Sequence, residues 1–229
     1  MEKHTIATKS ISRFLQLFDG SFPSGAFVHS FGLEPHIITG QVSTGSELKL
    51  YLHNLIKYQY QGNDFVFITK VFNALENNNL TTLIKEDNNF SSMMSYEFAK
   101  ASQDIGENYL KQISHLFSFS IAKSYLEVLQ NQKAFGNELL ILVMYAHELK
   151  IDKDLFTLLW CKKNLITIAT SSLKISRIKP SEIQQLLFAF DDELEELIQN
   201  QSKSYQSFNP LFEEVIYQHK NLEPKLFVT

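Results

Sequence analysis

The chain has 229 residues, 44% of them hydrophobic and 20% charged, with 21 basic against 25 acidic side chains for a formal charge of −4. That balance excludes a disordered chain and gives no general attraction to nucleic acid, the more so because Arg13 and Arg177 are the only arginines. Eight glycines and five prolines are about half the average share, so turns are few and elements long, which excludes sandwiches and small barrels with a turn every ~8–12 residues.

In chain order, Ile11, Phe14, Leu15 and Phe18 mark one face of a first helix over Ser10–Phe18. Asp19-Gly20-Ser21-Phe22-Pro23-Ser24-Gly25 interrupts it with the densest run of breakers in the chain, and a short helix from Ala26 to Ile38 follows, closed by Gly40. Ser43 or Thr44 with Glu47 reads as a capping box ahead of Leu48, Leu52, Leu55 and Ile56. Gly62-Asn63-Asp64 is expected to break that helix, with Asp64 capping the next, Phe65–Leu75. Asn77-Asn78-Asn79 and Asp87-Asn88-Asn89 read as turns. Phe90–Phe117 then reads as helix with a bend at Gly106. Segments Ser120–Leu129 and Asn137–Leu149 follow, separated by a loop at Gly136.

Asp152 caps a stretch to Ile175 that is apolar nearly all round, the mark of a buried central helix. Pro180 and Glu182 open a last long helix with the stripe Ile183, Leu186, Leu187, Phe190, Leu194, Leu197 and Ile198. The reading is all-α: one domain over 1–229, a bundle of roughly nine to ten helices with a flexible C-terminal tail. Residues 1–9 are expected to be disordered and 201–229 to be ordered by a partner. The single Cys161 points to a reducing compartment. No export signal is read after Met1, and the longest charge-free apolar run, Leu139–Ala146, falls short of the ~20 residues that span a bilayer. A cytoplasmic location without membrane contact is expected.

Several arrangements invite chemistry. Gly20 and Gly25 have the spacing of a phosphate loop, but Ala26-Phe27 stands where the lysine and hydroxyl would be, so a structural turn is the reading. Asp191, Asp192 and Glu195 are spaced like the magnesium-diphosphate motif of helical isoprenoid synthases, which gives the alternative of a magnesium-dependent diphosphate enzyme; no second ligand set is found on an opposing helix, and a solvated helix face is the preferred reading. His29 and His36 lie two turns apart and are a possible nickel pair, although no HxxxH or HExxH spacing is present. Cys161 reads as a small hydrophobe. No nucleophile–base pair is visible, so no catalytic residues are assigned. Leu222, Leu226 and Phe227 are apolar anchors in a polar tail, the pattern of a segment that orders on a partner.

The run Phe14-Leu15-Gln16-Leu17-Phe18-Asp19-Gly20-Ser21-Phe22-Pro23-Ser24-Gly25-Ala26-Phe27-Val28-His29-Ser30-Phe31-Gly32-Leu33-Glu34 resembles the urease accessory protein F family, which reads approximately L-L-Q-L-x-D-x-x-(F/L)-P-x-G-(G/A)-F-x-(H/Y)-S-x-G-L-E. Glu97, Ala101, Ser102, Gly106 and Leu110 resemble its E-x-x-x-A-S-x-x-x-G-x-x-L-L helix, with Tyr109 in place of the first leucine. Ala134-Phe135-Gly136 resembles its glycine turn, and Lys225-Leu226-Phe227-Val228-Thr229 its R-L-F-x-S terminus, with lysine for arginine. Leu173–Pro180 stands where the family has L-G-Q-T/S, without the glutamine.

The resemblance implies an all-helical, non-enzymatic assembly factor that dimerises. It would bind accessory protein D (also called H), recruit the nickel-carrying accessory GTPase G, and support GTP-dependent nickel insertion into apo-urease. Nickel and GTP would be handled by the partners, with no cofactor or metal bound directly. The residues expected at partner contacts are Lys225, Leu226 and Phe227 of the tail, and Phe22, Pro23, Ser24, Gly25, His29, Ser30 and Glu34 of the breaker-rich stretch.

Overall fold

The computed structural model describes residues 8–26, 30, 32–206, 222–223 and 226–227. Among these residues the regular structure is helical, with no strand, as the scarcity of breakers implies. In chain order the α-helices are α1 (Thr8–Phe18), α2 (Leu33–Ile38), α3 (Gly45–Asn54), α4 (Phe65–Glu76), α5 (Leu80–Met93), α6 (Tyr96–Ile113), α7 (Ser120–Gln130), α8 (Glu138–Glu148), α9 (Lys153–Ser171), α10 (Pro180–Ala189) and α11 (Asp191–Gln199), and a π-helical segment, Leu55–Asp64, joins α3 to α4. Two compact units divide the chain: Met1–Ala26 with Phe67–Phe156, and Phe27–Val66 with Thr157–Thr229.

The first unit is organised by one buried side chain. Asp87 is fully buried, and its Oδ2 accepts from the Tyr125 hydroxyl at 2.8 Å and from the backbone N–H groups of Phe135 at 2.7 Å and Gly136 at 3.0 Å, while Oδ1 accepts from Asn137 N–H at 3.2 Å. The carboxylate thus fixes the turn that launches α8, whose residues Leu139–Ala146 are all buried. Asn137 caps the same helix by accepting from Leu139 N–H. Helix α6 runs unbroken through Gly106, because the glycine is needed for close approach: a Cβ there would lie 2.2 Å from the Gly136 carbonyl oxygen. Phe67 stacks on Phe90, and Phe14 and Phe72 each meet Phe156, to complete this core.

In the second unit the Thr44–Glu47 capping box opens α3 as expected. Three serine and threonine donors on Glu47 (two backbone N–H groups and the Ser43 hydroxyl) hold its carboxyl down at about 2. Trp160 of α9 is buried between Tyr60 and Phe65, with ring centroids 4.9 and 6.5 Å away. His53 of α3 meets Glu193 of α11 at 2.5 Å. Cys161 is fully buried, and burial with Asp64 nearby pushes its thiol up.

Seven expectations give way to longer-range forces. Gly62-Asn63-Asp64 does not break the helix; the chain passes through it in π register, and Asp64 is buried against Gln59 rather than capping α4. Asp87-Asn88-Asn89 is no turn but lies inside α5, because Asp87 must face α7 and the turn before α8. The helix expected over Phe90–Phe117 is interrupted at Met94–Ser95. The last helix divides at Phe190, which is buried with the rest of its stripe except half-buried Leu197. The helix expected from Ala26 begins only at Leu33, after Gly32 at φ 86°, and 27–29 and 31 lie outside the described residues. On α1 the buried pair is Phe14 and Leu17, leaving Ile11 and Leu15 exposed. Finally, the all-round buried helix is α8; α9 exposes Ile166.

Two outcomes follow from these carboxyls. Asp87→Ala orphans four donors, so urea unfolding should show a loss of about 3 kcal/mol or more, while Tyr125→Phe should cost about 1 kcal/mol. Burial raises Asp64 from its ordinary 3.8 to about 8. The unfolded chain therefore releases that proton near pH 4 and the folded chain only near pH 8, so stability from this group is intact below pH 4 and declines as pH rises to 8. Asp64→Asn should remove that decline, and its advantage in urea midpoint should grow from pH 5 to pH 9.

Candidate partner-contact site

Within the second unit the structure brings together residues far apart in the chain. Ser30 and Glu34 are both fully buried. Gly32, in the left-handed region, turns the backbone so that Leu33 N–H reaches the Ser30 carbonyl at 3.2 Å and Glu34 N–H reaches Ser30 Oγ at 3.3 Å. These bonds stand in for a side-chain cap and aim Glu34 inward. Its Oε1 accepts from Leu226 N–H at 2.8 Å and its Oε2 from Phe227 N–H at 3.3 Å. Two adjacent amides on one carboxylate clamp the backbone of the C-terminal stretch. Phe227 is buried, with Lys174 Nζ 5.0 Å from its ring centroid, a cation–π contact. Lys174 ends the short turn Ser172–Lys174, which packs on α2. The side chains of Leu226 and Leu173 remain exposed.

Thus Ser30, Glu34, Leu226 and Phe227, all expected at partner contacts, form one cluster, although Glu34 and the tail spend their polar contacts on each other. His29 and Lys225 lie outside the described residues. Lys174 is the member that the sequence reading lacked; its place in the stretch Leu173–Pro180 was the available signal.

Phe22, Pro23, Ser24 and Gly25 belong to the first unit and form their own cluster. Phe22 N–H bonds the Asp19 carbonyl at 3.0 Å, and Asn108 Nδ2 donates to the Ser24 carbonyl at 3.1 Å. The half-buried Phe22 ring stacks on Tyr109 at 5.3 Å. Tyr109 is fully buried and its hydroxyl donates to the Leu17 carbonyl at 3.4 Å, so the residue that departs from the family pattern ties this loop to α1 and α6. Pro23 is exposed, and Gly25 sits at φ 83°. Ser21 N–H and hydroxyl both bond Asp19, which lowers that carboxyl. The loop's polar groups bond one another and Asn108, as in a structural turn rather than a phosphate cradle.

The rival chemistries have little to stand on. Asp191 is paired with Lys162, and Asp192 and Glu195 are exposed. Asp191, Asp192 and Glu193 occupy the first turn of α11, where negative charge suits the helix dipole. His36 Nδ1 bonds the Gly32 carbonyl at 2.7 Å and its ring meets Tyr51, with burial pushing it down. Among the described residues no group of three His, Cys, Asp or Glu side chains is placed to hold a metal ion. Among the same residues no helix is long and apolar enough to cross a membrane.

The UreF family model matches residues 42–191. The urease accessory protein UreF of Bacillus sp. (strain TB-90) is 25% identical over 227 residues, covering 96% of this chain and 100% of its own length. That of Lachnoclostridium phytofermentans is 26% identical over 178 residues, 77% of this chain and 78% of its own. That of Ureaplasma parvum serovar 3 is 29% identical over 140 residues, 60% of this chain and 59% of its own.

Glu34→Ala should release both tail amides and cost about 1–3 kcal/mol locally, seen as roughly 10-fold or faster exchange of the Leu226 and Phe227 N–H groups. Glu34→Gln, which keeps one acceptor oxygen, should fall between Ala and the natural residue.

Proposed function

The chain belongs to the UreF family of urease accessory proteins, a family of accessory proteins and not of enzymes, and on that premise we propose that it is a scaffold and chaperone for urease maturation. In this reading it works in the cytoplasm as a homodimer, bridging accessory protein D (also called H) and the accessory GTPase G on apo-urease. Nickel is cargo and GTP is fuel, both handled by the partners, and this chain supplies contact surfaces that let hydrolysis be coupled to insertion.

The observation that carries the reading is the clamp of Glu34 on Leu226 and Phe227. Because the carboxylate holds backbone, the exposed Leu226 side chain is presented on a stretch already ordered. A partner that covers it pays less ordering entropy than it would with a free tail. Leu173, the chain neighbour of the Lys174 that meets Phe227, is a second exposed leucine in this reading. The Phe22–Gly25 loop is the second contact region in this reading, through exposed Pro23.

The test is co-expression with accessory protein D followed by purification of the complex. D should copurify with the full chain and be lost on deletion of 222–229, and urease activation reconstituted with all accessory proteins should require this chain. Retention of D by the truncated chain overturns the tail's role, and activation that proceeds without the chain overturns the scaffold.

A further inference from the structure

The π-helical segment Leu55–Asp64 is the least ordinary backbone in the second unit. Ten residues in π register is long for a form that is rare and mostly confined to single turns. Its end is closed by Phe65 N–H on the Tyr60 carbonyl, an i→i+5 bond. Something outside the segment must favour this register over the α-helix that flanks it on both sides.

The residues that follow α11 meet it at three points. Gln61 Nε2 donates to the Asn200 carbonyl at 3.0 Å. Gln206 N–H donates to the Gly62 carbonyl at 3.1 Å. With the Asn63 amide oriented so that its nitrogen faces the Gln206 carbonyl, the assignment that satisfies both groups, it donates there at 2.7 Å. Gln206 is itself folded back, its Nε2 donating to Ser202 Oγ at 3.0 Å. Gly62 is the place where the two segments touch: a Cβ there would lie 2.8 Å from Gln206 Oε1 and 3.2 Å from Gln206 Cβ. Asn63 is fully buried under this contact.

We propose that residues 200–206 are a latch that sets the helical register of Leu55–Asp64. With the latch seated, the Gly62 carbonyl and the Asn63 amide are satisfied across the contact, and the wider π ring is stable. With the latch withdrawn, those buried groups lose their partners, and the segment reverts to the i→i+4 register of α3 and α4. Each residue then shifts around the helix, carrying Tyr60 off Trp160 and moving Asp64 from its buried place. Any molecule that takes up the chain beyond Gln206 acts directly on this latch. The device does not depend on which protein that is, so it stands or falls apart from the scaffold reading.

Trp160 is the single tryptophan of the chain and, packed on Tyr60, is a built-in reporter of the register. Two full-length variants attack the latch by different means: Gly62→Ala wedges a methyl against Gln206, and Gln206→Pro removes the N–H that bonds Gly62. Each should shift the Trp160 emission and speed amide exchange across 55–64 by about 10-fold or more, while the amides of α10, in the same unit, keep their natural protection as proof that this unit remains folded. If both variants leave the emission and the exchange of 55–64 at natural values, the π register is self-sufficient and the proposal is wrong.

Discussion

A buried carboxylate that collects backbone N–H groups is the interaction on which each unit depends. Asp87 does this in the first unit. A buried carboxylate is tolerable only when its lone pairs are filled by donors, and Asp87 fills them with a hydroxyl and three consecutive amides of the turn before α8. The position of α8, whose length from Leu139 to Ala146 is buried, is therefore dictated from α5. The Gly106 contact with the Gly136 carbonyl then sets how closely α6 can approach the same turn.

Glu34 repeats the chemistry with a different consequence. Its two donors come from residues 192 and 193 positions further along the chain, so the contact closes a loop of nearly the whole sequence. Asp87 holds a turn whose Gly136 and Asn137 are buried ahead of a buried helix, whereas Glu34 holds Leu226 and Phe227 with the leucine facing outward. The same acceptor geometry thus builds a rigid core in one unit and an ordered contact surface in the other.

What could be read in the sequence was local. The Thr44–Glu47 box, Asp152 as cap of α9 and Pro180 with Glu182 at the start of α10 all involve partners within four residues. What could not be read needed a distant partner. Asp87-Asn88-Asn89 has turn composition, and only Tyr125 and the Gly136 turn make it helix. Gly62 reads as a breaker until Gln206 is seen lying against it. Ile11, Phe14 and Leu15 fit one helical stripe, but the core takes only Phe14 of these, with Leu17 beside it, and leaves Ile11 and Leu15 exposed. At the site, the motif singles out Ser30, Glu34, Leu226 and Phe227 in the sequence; that the acid grips the tail is not legible there, because nothing in spacing encodes a contact across 192 positions.

The lone cysteine closes the picture in kinetic terms. Cys161 is wholly enclosed beside Trp160, and its thiol is pushed up by burial and by Asp64. A thiol that is both shielded and protonated is inert to alkylating reagents. It can react only when α9 parts from its neighbours. The rate at which this one sulfur is modified is therefore a clock for the opening of the second unit, supplied by the natural chain without any added label.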